Sequence, residues 1–139
     1  MRMKAVVQRR YGPPSSVRLE EVTEPSAGPG EALVRVHASS VNAADLEILS
    51  GWWLVRMASP LRPASRIMGS DVAGVVEAVG AGVTNLAPGD EVMADLSMHG
   101  YSAFAELVAA PADAFAPKPS NLTFGQAAAV PSAAWVAIK

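Results

Sequence analysis

The chain has 139 residues, 50% hydrophobic and 17% charged, which suits one ordinary packed domain and excludes a disordered chain. Its 11 basic and 13 acidic residues leave a net charge of −2, with no basic run longer than Arg9-Arg10, so the composition shows no footprint of a nucleic-acid or membrane-surface binder. The absence of cysteine removes disulfides, thiolate catalysis and cysteine-based zinc sites together.

Taken in chain order, "MKAVVQ" reads as a first strand. The stretch around it has no apolar signal core, which makes a cytoplasmic location the expectation. "VRLEEVTEP" reads as a second strand and is followed by the turn "EPSAGPGEA", whose Pro and Gly residues no helix crosses. In "EALVRVHASSV" the run Leu33 to Ala38 alternates apolar and polar, the period of a strand with one buried face. His37 shares the Arg35 side of that strand and reads as a solvent-side residue. Asn42 is placed to cap the helix "AADLEIL", with Asp45 in its first turn. "DVAGVVEAVG" and "DEVMADL" are further strands, and "SAFAELVAA" another. His99 falls in the loop "SMHGY" between the last two. Thr123-Phe124-Gly125-Gln126 matches a capping box opening an alanine-rich helix. Short strands at spacings of about 8–12 residues with such turns predict a mainly β sandwich or barrel carrying a few short helices.

Two stretches need separate argument. Gly80-Ala81-Gly82, after a valine-rich strand, looks like the opening of a dinucleotide-binding loop, but the third position of that fingerprint is Asn85 rather than Gly or Ala. Only Leu86-Ala87 separate it from Pro88-Gly89-Asp90, leaving no room for the helix whose N-terminus would face a pyrophosphate. The glycines therefore read as a turn admitting positive φ. The second stretch is the tail "GQAAAVPSAAWVAIK", interrupted by Pro131 and without a stop before Lys139. Too short to span a bilayer, it leaves an apolar surface needing cover. The expectation is one domain over 1–123, with 124–139 beginning a helix that connects to a further domain. A C-terminal helix docked on the barrel is the alternative.

"MKAVVQRRYGPP", "EALVRVHASSVNAAD", "MGSDVAGVVEAVGAGVTNLAPGDEV", "GYSAFAE" and "NLTFGQAAAVP" occur in the order found at the front of the medium-chain dehydrogenase/reductases. The chain resembles their N-terminal half, a GroES-like, partly open β-barrel with a few short helices. The resemblance implies that a Rossmann domain completes the enzyme, that NADPH is bound mostly by that absent half, and that a homodimer, if one forms, uses the other half too. The residues that separate NADPH from NADH would also lie there. Zinc members of the family have a Cys where this chain has Asn42 and a His where it has Ser70, and a four-Cys lobe after the position of Asp95. The departures imply a zinc-free member. The pattern is similar to NADPH:quinone oxidoreductases of the zeta-crystallin type, which implies hydride transfer to a quinone or an α,β-unsaturated carbonyl, a small-molecule partner. A zinc-type alcohol dehydrogenase barrel that has lost its metal site, and a stand-alone binding or assembly module, are the alternatives.

Carried over residue by residue, the resemblance implies roles near the chemistry for Asn42, Asp45 and Asp71. Asn42 is either beside the nicotinamide or simply a helix cap, and the two roles are compatible. Asp71 reads first as a structural acid at a strand–loop junction. On the cofactor side fall Ser132 and Val136, the latter where the family has a small hydroxyl. Trp52, Trp53 and Met68 are candidates for the substrate mouth, with core packing the competing role for one tryptophan.

Overall fold

A computed structural model describes residues 1–138 of the chain. β1 (Arg2–Val7) and β2 (Arg18–Thr23) form an antiparallel pair. β3 (Glu31–Ser40), β4 (Asp71–Val79), β5 (Glu91–Asp95), β6 (Leu107–Pro111) and the short β7 (Ala116–Pro117) form a five-stranded sheet in the order β6-β3-β4-β5-β7. Between β3 and β4 lie α1 (Ala43–Ser50) and α2 (Trp53–Ala58). After β7 come α3 (Phe124–Ala128) and α4 (Pro131–Ile138). The fold is mainly β, with few short helices, as the strand spacing predicts. No described helix is long and apolar enough to cross a membrane.

The two sheets are tied through β1. Its far edge meets two irregular segments, with bridges from Ala5 to Ala105 and from Val7 to Ile67. Val6 N–H donates to Phe104 O at 2.8 Å, and Gln8 N–H to Arg66 O at 2.7 Å. This ladder is what brings residue 8 beside residues 66–68, a proximity no local pattern announces.

Inside, alternation along the strands collects Val34, Val72, Val76, Val92, Leu96 and Val108 into one apolar core. β4 is buried on both faces from Asp71 to Gly74, because α3 lays Ala127 and Ala128 against Ala73 on the opposite side. β3 carries irregularities at Leu33/Val34 and Val36/Ala38, and β-bulges of this kind re-aim side chains. His37, at the second, is exposed and stacks on Phe124 with ring centroids 4.4 Å apart.

The loop at Gly80 to Gly82 joins two antiparallel strands, and no helix follows it. Gly82 has φ +84°, while a Cβ on Gly80 would stand 1.7 Å from the carbonyl oxygen of Gly28. One glycine is needed for conformation and the other for close backbone approach. At the other end, the single alanine-rich helix expected after Thr123 is two helices. Pro131 has no N–H to continue the first and instead occupies the opening position of the second. Lys139, the last residue of the expected connecting segment, lies outside the described residues.

Candidate functional site

A cleft of about 210 Å³ opens between the end of β1, the two helices α1 and α2, and the segment 64–69. Its wall is largely apolar, with Ile48, Val55, Ile67 and Met68 among the contributors. Five polar side chains interrupt it: Gln8, Asp45 and Tyr101, with Ser59 and Ser65, whose hydroxyls already donate to Arg62 O and Ile67 O. Gly69 at its base has φ +93°, and a Cβ there would lie 2.3 Å from Phe104 Cδ1, so the chain can pass only without a side chain.

Asp45 is buried at the first turn of α1. Its carboxylate accepts the backbone N–H of Asn42 at 2.8 Å, completing a capping box. Burial pushes its carboxyl above the ordinary carboxylate value; the Asn42 N–H opposes this, and the charges of Asp71 and Asp95 add to it. Tyr101 reaches the same cleft from a loop in which it and Ser102 both adopt positive φ, at 63° and 84°. Two consecutive non-glycine residues in that region mark a locally strained backbone held by its surroundings. Burial, then the charges of Asp45 and Asp95, raise the Tyr101 phenol above its ordinary value, so it stays protonated as a donor.

Asn42 joins this cleft to a second polar cluster. Its Nδ2 donates to Asp71 Oδ2 at 3.2 Å and to Ser40 Oγ at 3.3 Å. Asp71, at the start of β4, is fully buried. It also accepts Ser40 Oγ at 3.2 Å, Ser132 Oγ at 2.6 Å, and Ser132 N–H at 3.2 Å from each carboxylate oxygen. Helix α4 is preceded by Val130, whose carbonyl takes the Ala134 N–H and whose side chain has nothing to offer the free N–H groups. Asp71 takes that capping role from 61 positions away in the chain. Ser132 and Asn42, far apart in sequence, meet on one carboxylate.

The other predicted positions are dispersed. Met68 lines the cleft, but Trp52 and Trp53 lie outside its wall, 45% and 58% exposed and packed edge to face against each other. Val136 projects from α4 and is 74% exposed, away from the Asp71 cluster. Ser70 is buried, with an Oγ that has no hydrogen-bond partner among the described residues. Gln8 and Tyr101 were not singled out by sequence reasoning. The one local signal for Tyr101 is its position after the His99-Gly100 turn, and Gln8 carries none.

This is a two-sheet, mainly β domain whose helices wall a small apolar cleft with an acid and a phenol in it. Residues 28–120 match the alcohol dehydrogenase GroES-like domain, and the chain belongs to that family, within the medium-chain dehydrogenase/reductases. Among relatives, it is 41% identical over 128 residues to the mitochondrial reticulon-4-interacting protein 1 of Caenorhabditis elegans, covering 84% of this chain and 35% of that one. It is 33% identical to the quinone oxidoreductase of Rattus norvegicus, over 92% of this chain and 37% of the relative. Among solved structures, the quinone oxidoreductase of Coxiella burnetii superposes with a TM-score of 0.86 at 31% identity, over 99% of this chain and 44% of that one. The chain thus spans roughly a third of the length of these curated relatives.

Proposed function

We propose that this chain is the substrate-binding part of a reductase that transfers hydride from NADPH to a quinone or an α,β-unsaturated carbonyl without zinc. The observation that carries the reading is the cleft itself, a largely apolar slot in which a protonated phenol is the best hydrogen-bond donor. A planar conjugated carbonyl suits such a slot. NADPH, when bound, supplies the hydride. The residues of this chain do the rest: the slot orients the acceptor plane, and Tyr101 donates to its oxygen as negative charge gathers there. Asp45 positions Asn42 through the capping bond, and Asn42 lies between the cleft and the Asp71 cluster on the proposed nicotinamide side.

The Gly80 turn does not form a pyrophosphate cradle, because Gly80 N–H already donates to Glu31 O at 2.8 Å and the turn leads into β5 rather than a helix. That part of the cofactor falls to a domain beyond this chain. The zinc-free reading is supported by Asn42 and Ser70 at the two positions where zinc members carry ligands. Among the described residues, too, no group of three or more His, Cys, Asp or Glu is arranged to hold a metal.

The test is NADPH oxidation by the complete polypeptide with 9,10-phenanthrenequinone and a panel of enones. Activity is expected with at least one acceptor, and Tyr101→Phe should lower kcat about 10²-fold, the usual effect of losing one donor to a developing oxyanion. Silence across the panel, or one equivalent of zinc in the purified protein, would overturn the reading.

A further inference from the structure

We infer that the substrate carries an anionic group, a carboxylate or a phosphate, which seats in a second cleft beside the first. This rests on the quinone or enone reading of the first cleft and narrows it. The second cleft measures about 240 Å³ and shares Gln8 and Ala64 with its neighbour. Its remaining wall is Arg9, Arg62, Pro63 and Arg66. Three arginines line this one concavity on a chain of net charge −2, which concentrates positive potential there.

Only one of the three is committed. Arg9 pairs with Glu20 at 2.6 Å, and Arg66 adds a weaker attraction to the same carboxylate. Neither Arg62 nor Arg66 forms an ion pair or a side-chain hydrogen bond among the described residues. Their backbones, by contrast, are pinned. Arg66 O accepts Gln8 N–H at 2.7 Å, and Arg62 O accepts the Tyr11 hydroxyl at 3.2 Å and the Ser59 hydroxyl at 2.5 Å. Free guanidiniums on a fixed backbone are suited to fork-like recognition of a carboxylate or phosphate.

Gln8 supplies an independent observation. Its side chain is 1% exposed and forms part of the partition between the clefts. The amide is oriented by three carbonyls: Nε2 donates to Leu49 O at 2.8 Å and approaches Arg10 O at 3.2 Å and Ile48 O at 3.4 Å. Oε1 is therefore turned away from them, buried, and meets no donor among the described residues. A buried acceptor of this kind calls for a donor, and a hydroxyl or amide N–H on the segment linking the planar head to the anionic tail would supply it. A concavity with three cations, rather than an extended basic strip, favours a small anion over a nucleic-acid backbone.

The experiment compares two quinones of similar ring size, neutral 2-methyl-1,4-naphthoquinone and anionic 1,4-naphthoquinone-2-sulfonate. Each is titrated into the 139-residue chain and followed by amide chemical shifts. The sulfonate should bind about tenfold tighter or better, shift the amides of Gln8 and Arg66, and lose its advantage as ionic strength rises. In Arg62→Gln/Arg66→Gln the ratio of the two Kd values should return to about one, and in Arg62→Lys/Arg66→Lys part of the preference should remain. Both arginines are exposed, so neither double variant disturbs the core. Equal affinities in the parent chain, or a preference that survives Arg62→Gln/Arg66→Gln, would overturn the inference and leave the quinone reading standing. If neither quinone shifts Ile48, Met68 or Tyr101, the parent reading falls and takes this one with it.

Discussion

Asp71 receives donors from three directions: Ser40 at the end of β3, Asn42 at the cap of α1, and Ser132 in the first turn of α4. Every group facing it donates, so Asp71→Asn keeps one acceptor oxygen but sets an NH2 against at least one donor. The expected loss is about 3 kcal/mol, read as a lower urea midpoint at unchanged slope; a loss within error would show that the cluster is dispensable. Asp45 makes a different prediction. Its fold-raised carboxyl value means that, between the ordinary value of 3.8 and the raised one, the native state holds more protons than the unfolded chain. Stability therefore falls as pH rises through that window. Asp45→Asn removes the slope, so the variant should gain on the parent chain as pH climbs, and a constant difference across a pH series of urea melts would contradict the assignment. Asn42, Asp45 and Asp71 were legible because local chemistry marks them: a cap, an acid in the first helical turn and an acid at a strand–loop junction. Gln8 and Tyr101 were not, because their roles come from a ladder between residues 8 and 66 and from a loop backbone at positive φ, neither of which a short window of sequence encodes.

At the scale of elements, alternation and turn residues located β1 to β5, the Asn42 cap and the Thr123 capping box, since each depends on neighbours within a few positions. The stretch "SAFAELVAA" was only partly a strand. β6 begins at Leu107, and the residues before it serve β1 through the Ala5–Ala105 bridge instead. The tryptophan pair shows the limit of composition: large aromatic residues at 52 and 53 suggest a core or a substrate wall, yet α2 leaves both exposed and outside the cleft. The Gly80 turn offers a sharper test of what its two glycines, one residue apart, each do. Gly80→Ala drives a methyl into the Gly28 carbonyl at 1.7 Å, whereas Gly82→Ala meets nothing within 4 Å and has only its φ of +84° to oppose it. The first should destabilise by about 3 kcal/mol or more and the second by about 1 kcal/mol. Equal costs in thermal or urea melts would mean that the close approach to Gly28 is not what fixes the turn.

For the whole molecule, the question is where a dinucleotide could be held, and the helix termini decide it. A pyrophosphate is ordinarily bound by free N–H groups at a helix N-terminus behind a glycine-rich turn. Here the start of α1 is closed by Asp45, that of α3 by Thr123 and Gln126, and that of α4 by Asp71. The remaining helix, α2, is a six-residue turn of chain entered from Trp52. The Gly80 turn has its Gly80 N–H committed to Glu31 O at 2.8 Å and is followed by β5, not a helix. Arg62 and Arg66, whose guanidiniums form no ion pair among the described residues, line the second cleft, on the substrate side of Gln8. Isothermal titration of NADPH into this 139-residue chain should therefore give no saturable binding at micromolar concentrations. Weak heat that disappears in Arg62→Gln/Arg66→Gln would mark a phosphate caught by the anion cleft rather than a cofactor site. Tight stoichiometric binding that survives that variant would require a cradle formed by capped helix ends or by the Gly80 turn, and would refute the division of labour proposed for the two halves of the enzyme.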